Sequence, residues 1–586
     1  MLKLILPLLI IVLPLLGSLF NNSNIYLFNI LLICFMVILV ASNKVEKAFW
    51  GFYLFSIGLS LIWTTSVYSP YLIGTDIHKE YYFFRQGLIG WDTSVIDPFN
   101  SSLLLSVILP YLSKLLGVSG YFLFKVICPL PLALVPVVQY KIFSKIFDRK
   151  TAFFGAIFFI SFVSFLLEIP SIVKMEVGLI FFAVEIFLLL SKPSKLNYIL
   201  IALTGTLVAT IHYTVWALSI LYFSITLVIL LGLRLLFKIK VPSLKGLLLS
   251  ILPIVLVGGL YLNFVAGGIA LACIKGLGGY FISTTVVEYI PGSTLGAQNI
   301  TGPVNFNPIG DILKVPIIEK INRLDPFLRG ALGLDFFDVD IWGKIFRILQ
   351  LITEIFLIVG LLQSRKLSPI CLGLSITAFL LLGSNLVVPG VSSILNATRW
   401  YQIALFILTP LAIDGVFILL KNKAQTVICL VLIPYLLFTS GFIFEVAKLT
   451  DTSTIIIPFS TSLSGYRLDL GSEFSKNDFE LAEYVGSSGV KPILADINGS
   501  SILLESIGGL FLESRVKFFP PSGCPIGPTY IYLREKNEKD KIITYWAGTG
   551  LKKTYSYSEL KMDIRFSRCK LIKQVGESKL YYYGGD

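Results

Sequence analysis

Apolar residues in this chain come in long uninterrupted runs rather than in the short alternations of a water-soluble fold. The first run follows Lys3 and extends from Leu4 to Leu16, "NNSN" separates it from a second, and a third follows "SNKVEK" and ends near Ser66. Such runs approach the ~20 residues that a helix needs to cross ~30 Å of hydrocarbon. Backbone polar groups must be satisfied within lipid, so each run is expected to be helical. Basic clusters punctuate them at "KIFSKIFDRK", "SKPSK", "RLLFKIKVPSLK", "QSRK" and "KNK". Placing these clusters in the cytoplasm obeys the positive-inside rule and leaves residues 67–100 and 266–342 as large outer loops. The segment 103–116 is short and broken by Pro110, and parity requires that it not cross. The expectation is about thirteen spans, with the N-terminus inside and the C-terminus outside. No small-residue cleavage site follows the first run, so it is read as a retained helix.

From about Lys448 the pattern changes: charges rise and apolar runs shorten. "KNDFELAEYVGSSGVKPILADINGS" reads as an amphipathic helix, a glycine turn and a strand, and "IYLREKNEKDKIITYW" as two strands around a charged turn. The predicted architecture is therefore a polytopic α-helical membrane domain, residues 1–447, followed by a small extracytoplasmic α/β domain, residues 448–586.

Composition agrees. Hydrophobic residues make up 55% of the 586 and charged residues 14%, against roughly 25% charged in globular chains. The net charge of +13 sits mostly in short loops between apolar runs, where it signals topology rather than nucleic-acid binding. The seven cysteines show no metal-ligand spacing. A disulfide between Cys524 and Cys569 is open to the C-terminal part if it lies outside the cytoplasm.

Ionisable residues at the edge of membrane helices are costly, so their positions carry information. "GTDIHKEYYFF" sets Asp76, His78 and Glu80 just beyond the third run. It is either the solvated start of a loop or a general base, Asp76, with an imidazole nearby to orient it. "EIPSIVKMEVG" brings Glu168, Lys174 and Glu176 to the same face, as snorkelling charges or as a second carboxylate for a divalent metal or a sugar hydroxyl. His212 in "ATIHYTVW", the only other histidine, is either a structural donor or part of the same site. Arg399 in "NATRWYQIALFILTP" either anchors a helix end or grips a lipid-linked phosphate with its forked donors.

Together "GTDIHKEYYFF", "KMEVGLIFFAVEIFLLL", "HYTVW" and "TRWYQIALFILTPLAIDG" resemble the archaeal-type membrane proteins of the GT-C glycosyltransferase superfamily. The resemblance implies a helical membrane enzyme whose first outer loop carries the catalytic aspartate, here Asp76. It implies transfer of a sugar, with inversion, from a polyprenyl-phosphate (dolichyl-type) carrier to an acceptor outside the cytoplasm, whether glycan, lipid or protein. Arg399 would then hold the donor phosphate, with His78, Glu80, Lys174, Glu176 and His212 lining the substrate site. A divalent metal, magnesium or manganese, would draw on Asp76, Glu168 and Glu176. This chain departs from the superfamily in having Ile77 rather than a second acidic residue after Asp76, and no "WWD" in its C-terminal part. A multi-pass plasma-membrane location follows. The competing classes are a lipid-linked glycan transporter and a non-catalytic cell-envelope assembly protein.

Overall fold

The computed structural model describes residues 2–74, 76–95, 97–241, 244–265, 330, 332–362, 367–387, 397–447, 474–507, 516–518, 527–548, 551–559 and 568–584. Most of the 266–342 loop, Cys524 and the expected boundary at Lys448 lie outside the described residues. The protein is an α-helical polytopic membrane protein with a small C-terminal α/β region.

The apolar runs are helices, and one further helix, α4, forms in the first polar loop: α1 (Leu2–Phe20), α2 (Ser23–Ala41), α3 (Trp50–Ser66), α4 (Asp76–Ile89), α5 (Pro129–Phe143), α6 (Arg149–Ile160) and α7 (Val173–Leu190). They continue as α8 (Lys195–Ile211), α9 (Tyr213–Phe237), α10 (Leu244–Phe264), α11 (Ile341–Leu362), α12 (Pro369–Val387), α13 (Ala397–Leu420) and α14 (Ala424–Thr439). Among the described residues seven helical stretches are long and apolar enough to cross a bilayer, or eight if the bent pair Arg149–Ile160 and Ser164–Ser171 is one span. The stretch Thr398–Thr439 covers 42 residues, about twice the length one crossing requires. Its 3-10 turn at Lys421–Lys423 divides it into α13 and α14. Phe346 of α11 touches both Tyr435 and Phe438 near the far end of α14. Leu104–Leu116 is helical but short, about 20 Å at 1.5 Å per residue.

Prolines inside these helices free carbonyls that lipid cannot satisfy, and at two of them a distant polar side chain takes up the freed oxygen. Pro410 of α13 has no N–H for the carbonyl four residues earlier, Phe406. Gln139 of α5 donates to that oxygen at 2.8 Å and to Thr409 Oγ1 at 3.0 Å. Gly155 of α6 lets the proline ring approach, since a Cβ there would lie 2.8 Å from Pro410 Cα. Pro14 of α1 likewise frees Ile10, whose carbonyl accepts from Ser60 Oγ at 2.6 Å, and Ser60 accepts in turn from Asn29. Removing Gln139 as leucine leaves a buried carbonyl unpaired, at a cost of about 1–2 kcal/mol. The thermal midpoint in detergent is expected to fall; an unchanged midpoint would mean that Phe406 finds another donor.

The C-terminal region contains α15 (Lys476–Ser488), β1 (Ile493–Ala495), α16 (Ile497–Ile507), β2 (Val516–Phe518) and β3 (Thr529–Leu533). Then come α17 (Glu535–Asp540), β4 (Ile542–Gly548), β5 (Leu551–Ser556), β6 (Lys570–Val575) and β7 (Ser578–Tyr583). The sheet order is β2-β1-β3-β7-β6, with β4-β5 a separate hairpin. β1 runs parallel to β2 and β3, whereas β7 is antiparallel to β3 and β6. The predicted helix, glycine turn and strand at residues 476–500 form: Ser475 and Asp478 close a capping box on α15, and Gly489 ends it at φ +65°. The charged stretch between β3 and β4 is not a turn but the helix α17, and its two flanking strands join different sheets. Asn537 caps that helix by accepting from the Arg534 N–H, and also donates to Asp496. Asp496, which caps α16 through the Gly499 N–H, pairs with the buried Arg534 at 3.0 Å. Burial alone pushes the Asp496 carboxyl up, but the Arg534 guanidinium and these hydrogen bonds hold it below its usual range.

Candidate functional site

The outer loop expected at residues 67–100 contains the 14-residue helix α4, which is neither long nor apolar enough to span. Gly74 leads into it at φ +122°, a conformation that side chains oppose. A Cβ there would also lie 2.4 Å from Ser171 Cβ, so only glycine brings the chain this close to the 164–171 segment. Tyr81 and Phe84, on one side of α4, pack against Tyr121 and Phe124. A helix with apolar anchors and charged residues in its first turn thus lies against the bundle.

Its first turn carries the candidate site. Asp76 Oδ2 is 3.7 Å from Arg399 Nη2 of α13, and the two side chains keep 17% and 21% exposure. Arg399 Nε is buried without a hydrogen-bond partner, so part of the fork is uncommitted. One turn on, Glu80 is fully buried. Its Oε2 accepts from the Val173 N–H at 2.7 Å, and its Oε1 lies 3.8 Å from Lys174 Nζ of α7. Lys174 Nζ also sits 3.1 Å from the centre of the Phe99 ring, and Lys79 lies 4.5 Å from that ring while pairing with Asp97 at 2.8 Å. Aromatic faces and carboxyl groups thus hold these two buried ammonium groups in place and offset part of the cost of burying them. Burial pushes the Glu80 carboxyl up to about 8, with Lys174 opposing and the neighbouring Asp76 adding to the rise.

His212 begins α9 as its cap: the Thr214 N–H donates to Nδ1 at 3.1 Å, which leaves Nε2 to carry the ring proton. The ring is buried, and Gly178 of α7 packs against its Cβ. Glu176 is fully buried, and neither of its oxygens has a hydrogen-bond partner. Glu168 accepts from Ser164 and from Thr398, the residue before Arg399, and so ties the start of α13 to the bent segment. Among the described residues no three histidine, cysteine, aspartate or glutamate groups converge, and Asp76, Glu168 and Glu176 do not form such a cluster. The structure thus sets two ion pairs, Asp76 with Arg399 and Glu80 with Lys174, one turn apart along α4.

His78 goes elsewhere. Its ring is fully buried and turned to the C-terminal α/β region, with Nδ1 2.7 Å from Glu505 Oε2 of α16. Glu505 is a residue that sequence reasoning missed; a carboxylate within an amphipathic segment separated by 427 positions offers no local signal. Phe99 was also missed, and its place in "WDTSVIDPFNSS" beside Asp97 was the only hint. Three π-helical turns, Leu104–Ile108, Leu123–Ile127 and Ser164–Glu168, surround this region, a distortion that recurs near functional sites.

A family profile described as "Predicted membrane protein (DUF2206)" matches residues 338–581. No curated protein matches the chain. Among solved structures, the chain is similar to ArnT from Cupriavidus metallidurans bound to undecaprenyl phosphate, at 10% sequence identity and a TM-score of 0.41. That alignment covers 90% of this chain and 97% of the other.

Proposed function

We propose that this protein is a membrane glycosyltransferase that moves a sugar from a polyprenyl-phosphate carrier to an acceptor hydroxyl at the extracytoplasmic face, with inversion. The observation that carries the reading is the Asp76–Arg399 pair: a carboxylate and a guanidinium, both partly exposed, face each other across 3.7 Å at the start of their helices. Asp76 takes the proton of the acceptor hydroxyl as its oxygen bonds to the anomeric carbon. The bond from that carbon to the phosphate oxygen breaks, and the polyprenyl phosphate leaves with its charge met by Arg399 and, behind it, Lys174. General-base assistance is worth roughly 10²–10⁴-fold, and preorganised cations aimed at developing charge are often worth more. The motif resemblance to the GT-C superfamily supports the same reading.

The test is a panel of polyprenyl-phosphate sugars offered to the purified protein in nanodiscs, with release of polyprenyl phosphate and glycosylated acceptor measured together. Stoichiometric release is expected. Movement of the lipid between leaflets without a covalent product would favour a transporter instead.

The buried Glu80 adds a pH dependence. Below about pH 8 its carboxyl is neutral, so the positive charge of Lys174 is uncompensated and attracts the donor phosphate. As pH rises through that value the pair loses its net positive charge, through ionisation of Glu80 and through loss of the Lys174 proton, which burial also brings down to about 8, so donor affinity is expected to fall between pH 7 and 9. Glu80→Gln removes one of these two titrations and is expected to shift the rise in donor KM with pH rather than abolish it. An unshifted limb in the variant would remove Glu80 from the titration.

A further inference from the structure

The first turn of α4 is held from several directions, and one hold comes from outside the membrane domain. At 3.6 residues per turn, Asp76 and Glu80 share a face while His78 points roughly to the opposite side. The shared face meets Arg399 and Lys174 of the bundle. The opposite side meets α16 of the C-terminal domain, where His78 Nδ1 lies 2.7 Å from Glu505 Oε2 and the Tyr121 hydroxyl donates to Glu505 Oε1 at 2.6 Å. Both oxygens of a nearly fully buried carboxylate are thus spent joining α4 and the segment around Tyr121. The surroundings are apolar: the ring centres of Phe474 and Phe479 lie 5.5 and 6.2 Å from the His78 ring, and Tyr71, ahead of α4, stacks on Phe479 at 4.5 Å. Among the described residues Glu505 is the one hydrogen-bond partner of the His78 ring, since Nε2 is buried without any. A further polar link, Arg85 to Glu483, is about half exposed and lies toward the far end of the helix. Exposed pairs of that kind hold little.

We propose that Glu505 is a positioning residue: through His78 it fixes the rotation and depth of α4, so that the C-terminal domain sets where the Asp76 carboxylate points. The hold itself is independent of what Asp76 does, whereas its effect on turnover rests on the glycosyltransferase reading above. A carboxylate here suits the task better than a neutral group. It accepts from two donors at once, and in an apolar setting a charge-assisted hydrogen bond is stronger and shorter than a neutral one. A small rotation of α4 moves Asp76 away from the acceptor oxygen while leaving Arg399 and Lys174 on their own helices. The acceptor-side step therefore suffers and donor binding does not.

The experiment uses the full-length protein as wild type, Glu505→Gln, Tyr121→Phe and Arg85→Ala. The chain has two histidines, so ¹⁵N-histidine labelling reads His78 against His212 as an internal control. In Glu505→Gln the His78 ring signals are expected to move while those of His212 stay, and amide exchange across the first turn of α4 is expected to quicken. The kcat is expected to fall on the order of 10- to 100-fold, the penalty of a misplaced reacting group, with donor KM unchanged. Tyr121→Phe, which removes one of the two holds and keeps the carboxylate, is expected to give a smaller change in the same direction. Arg85→Ala is expected to match wild type in every readout. Unchanged His78 signals and unchanged α4 exchange in Glu505→Gln overturn the hold, whatever the activity. Altered signals and exchange with full kcat overturn the positioning role. A wild-type protein that transfers no sugar sinks the glycosyltransferase reading alone, and the labelling and exchange data still decide the hold.

Discussion

Asp76→Asn is expected to reduce sugar transfer by roughly 10²–10⁴-fold, the contribution of a well-placed general base, while the protein folds and binds donor normally. Asparagine keeps the shape of the side chain and can still lie against Arg399, but it cannot accept the proton of the acceptor hydroxyl. The lost ion pair costs little, because at 3.7 Å and with both groups partly exposed it contributes about 1 kcal/mol or less. The loss should appear in kcat with little change in donor KM, as expected of a group that acts only in the transition state. Thermal midpoints of variant and wild type in the same detergent should agree. A variant with near-normal kcat would remove Asp76 from the chemistry, and one that fails to fold would point to a structural role for the pair.

Arg399 gives the second large effect, with a different signature. Arg399→Ala is expected to lower kcat/KM by roughly 10²–10³-fold, the loss typical of one preorganised donor to a developing negative charge. Arg399→Lys restores the charge but not the fork, and one ammonium cannot match two parallel donors on a phosphate. Partial recovery is expected, with donor KM still raised. Buried Nε has no hydrogen-bond partner, so the guanidinium has donor capacity left for an incoming phosphate oxygen. Donor KM unchanged in both variants would contradict the phosphate-binding role and leave Arg399 as an anchor for the start of α13.

Much of this architecture was legible in the chain because lipid imposes a blunt rule. Runs such as Tyr213–Phe237 and Leu244–Phe264 have to be helices, and their apolar length makes them visible. The candidate site was legible in part for a related reason: charge near a membrane edge is expensive, so Asp76, Glu80, Lys174 and Arg399 stood out. What was hidden depends on distance along the chain. Nothing near Gln139 says that it serves the carbonyl freed by Pro410, 267 positions away from it at Phe406. α4 was expected as loop because its apolar residues are too few for a span, yet Tyr81 and Phe84 suffice to seat a helix against Tyr121 and Phe124. His78 looked like a polar group beside a base, and only its packing against Phe474, Phe479 and Glu505 shows it turned away. The charged turn between β3 and β4 misled for a local reason. Lys536–Asp540 and Lys539–Glu535 are helical i,i+4 pairs, a spacing that alternating strands do not use.

The central claim is that one carboxylate, Asp76, and one guanidinium, Arg399, carry out transfer from a lipid-linked phosphate. The most direct measurement follows labelled sugar from a polyprenyl-phosphate donor into product with purified wild-type protein and Asp76→Asn side by side, scoring the anomeric configuration of the product. The expected result is an inverted product from wild type, close to none from the variant, and equal binding of polyprenyl phosphate by both. Equal product from both proteins, or a product with retained configuration, would contradict the account.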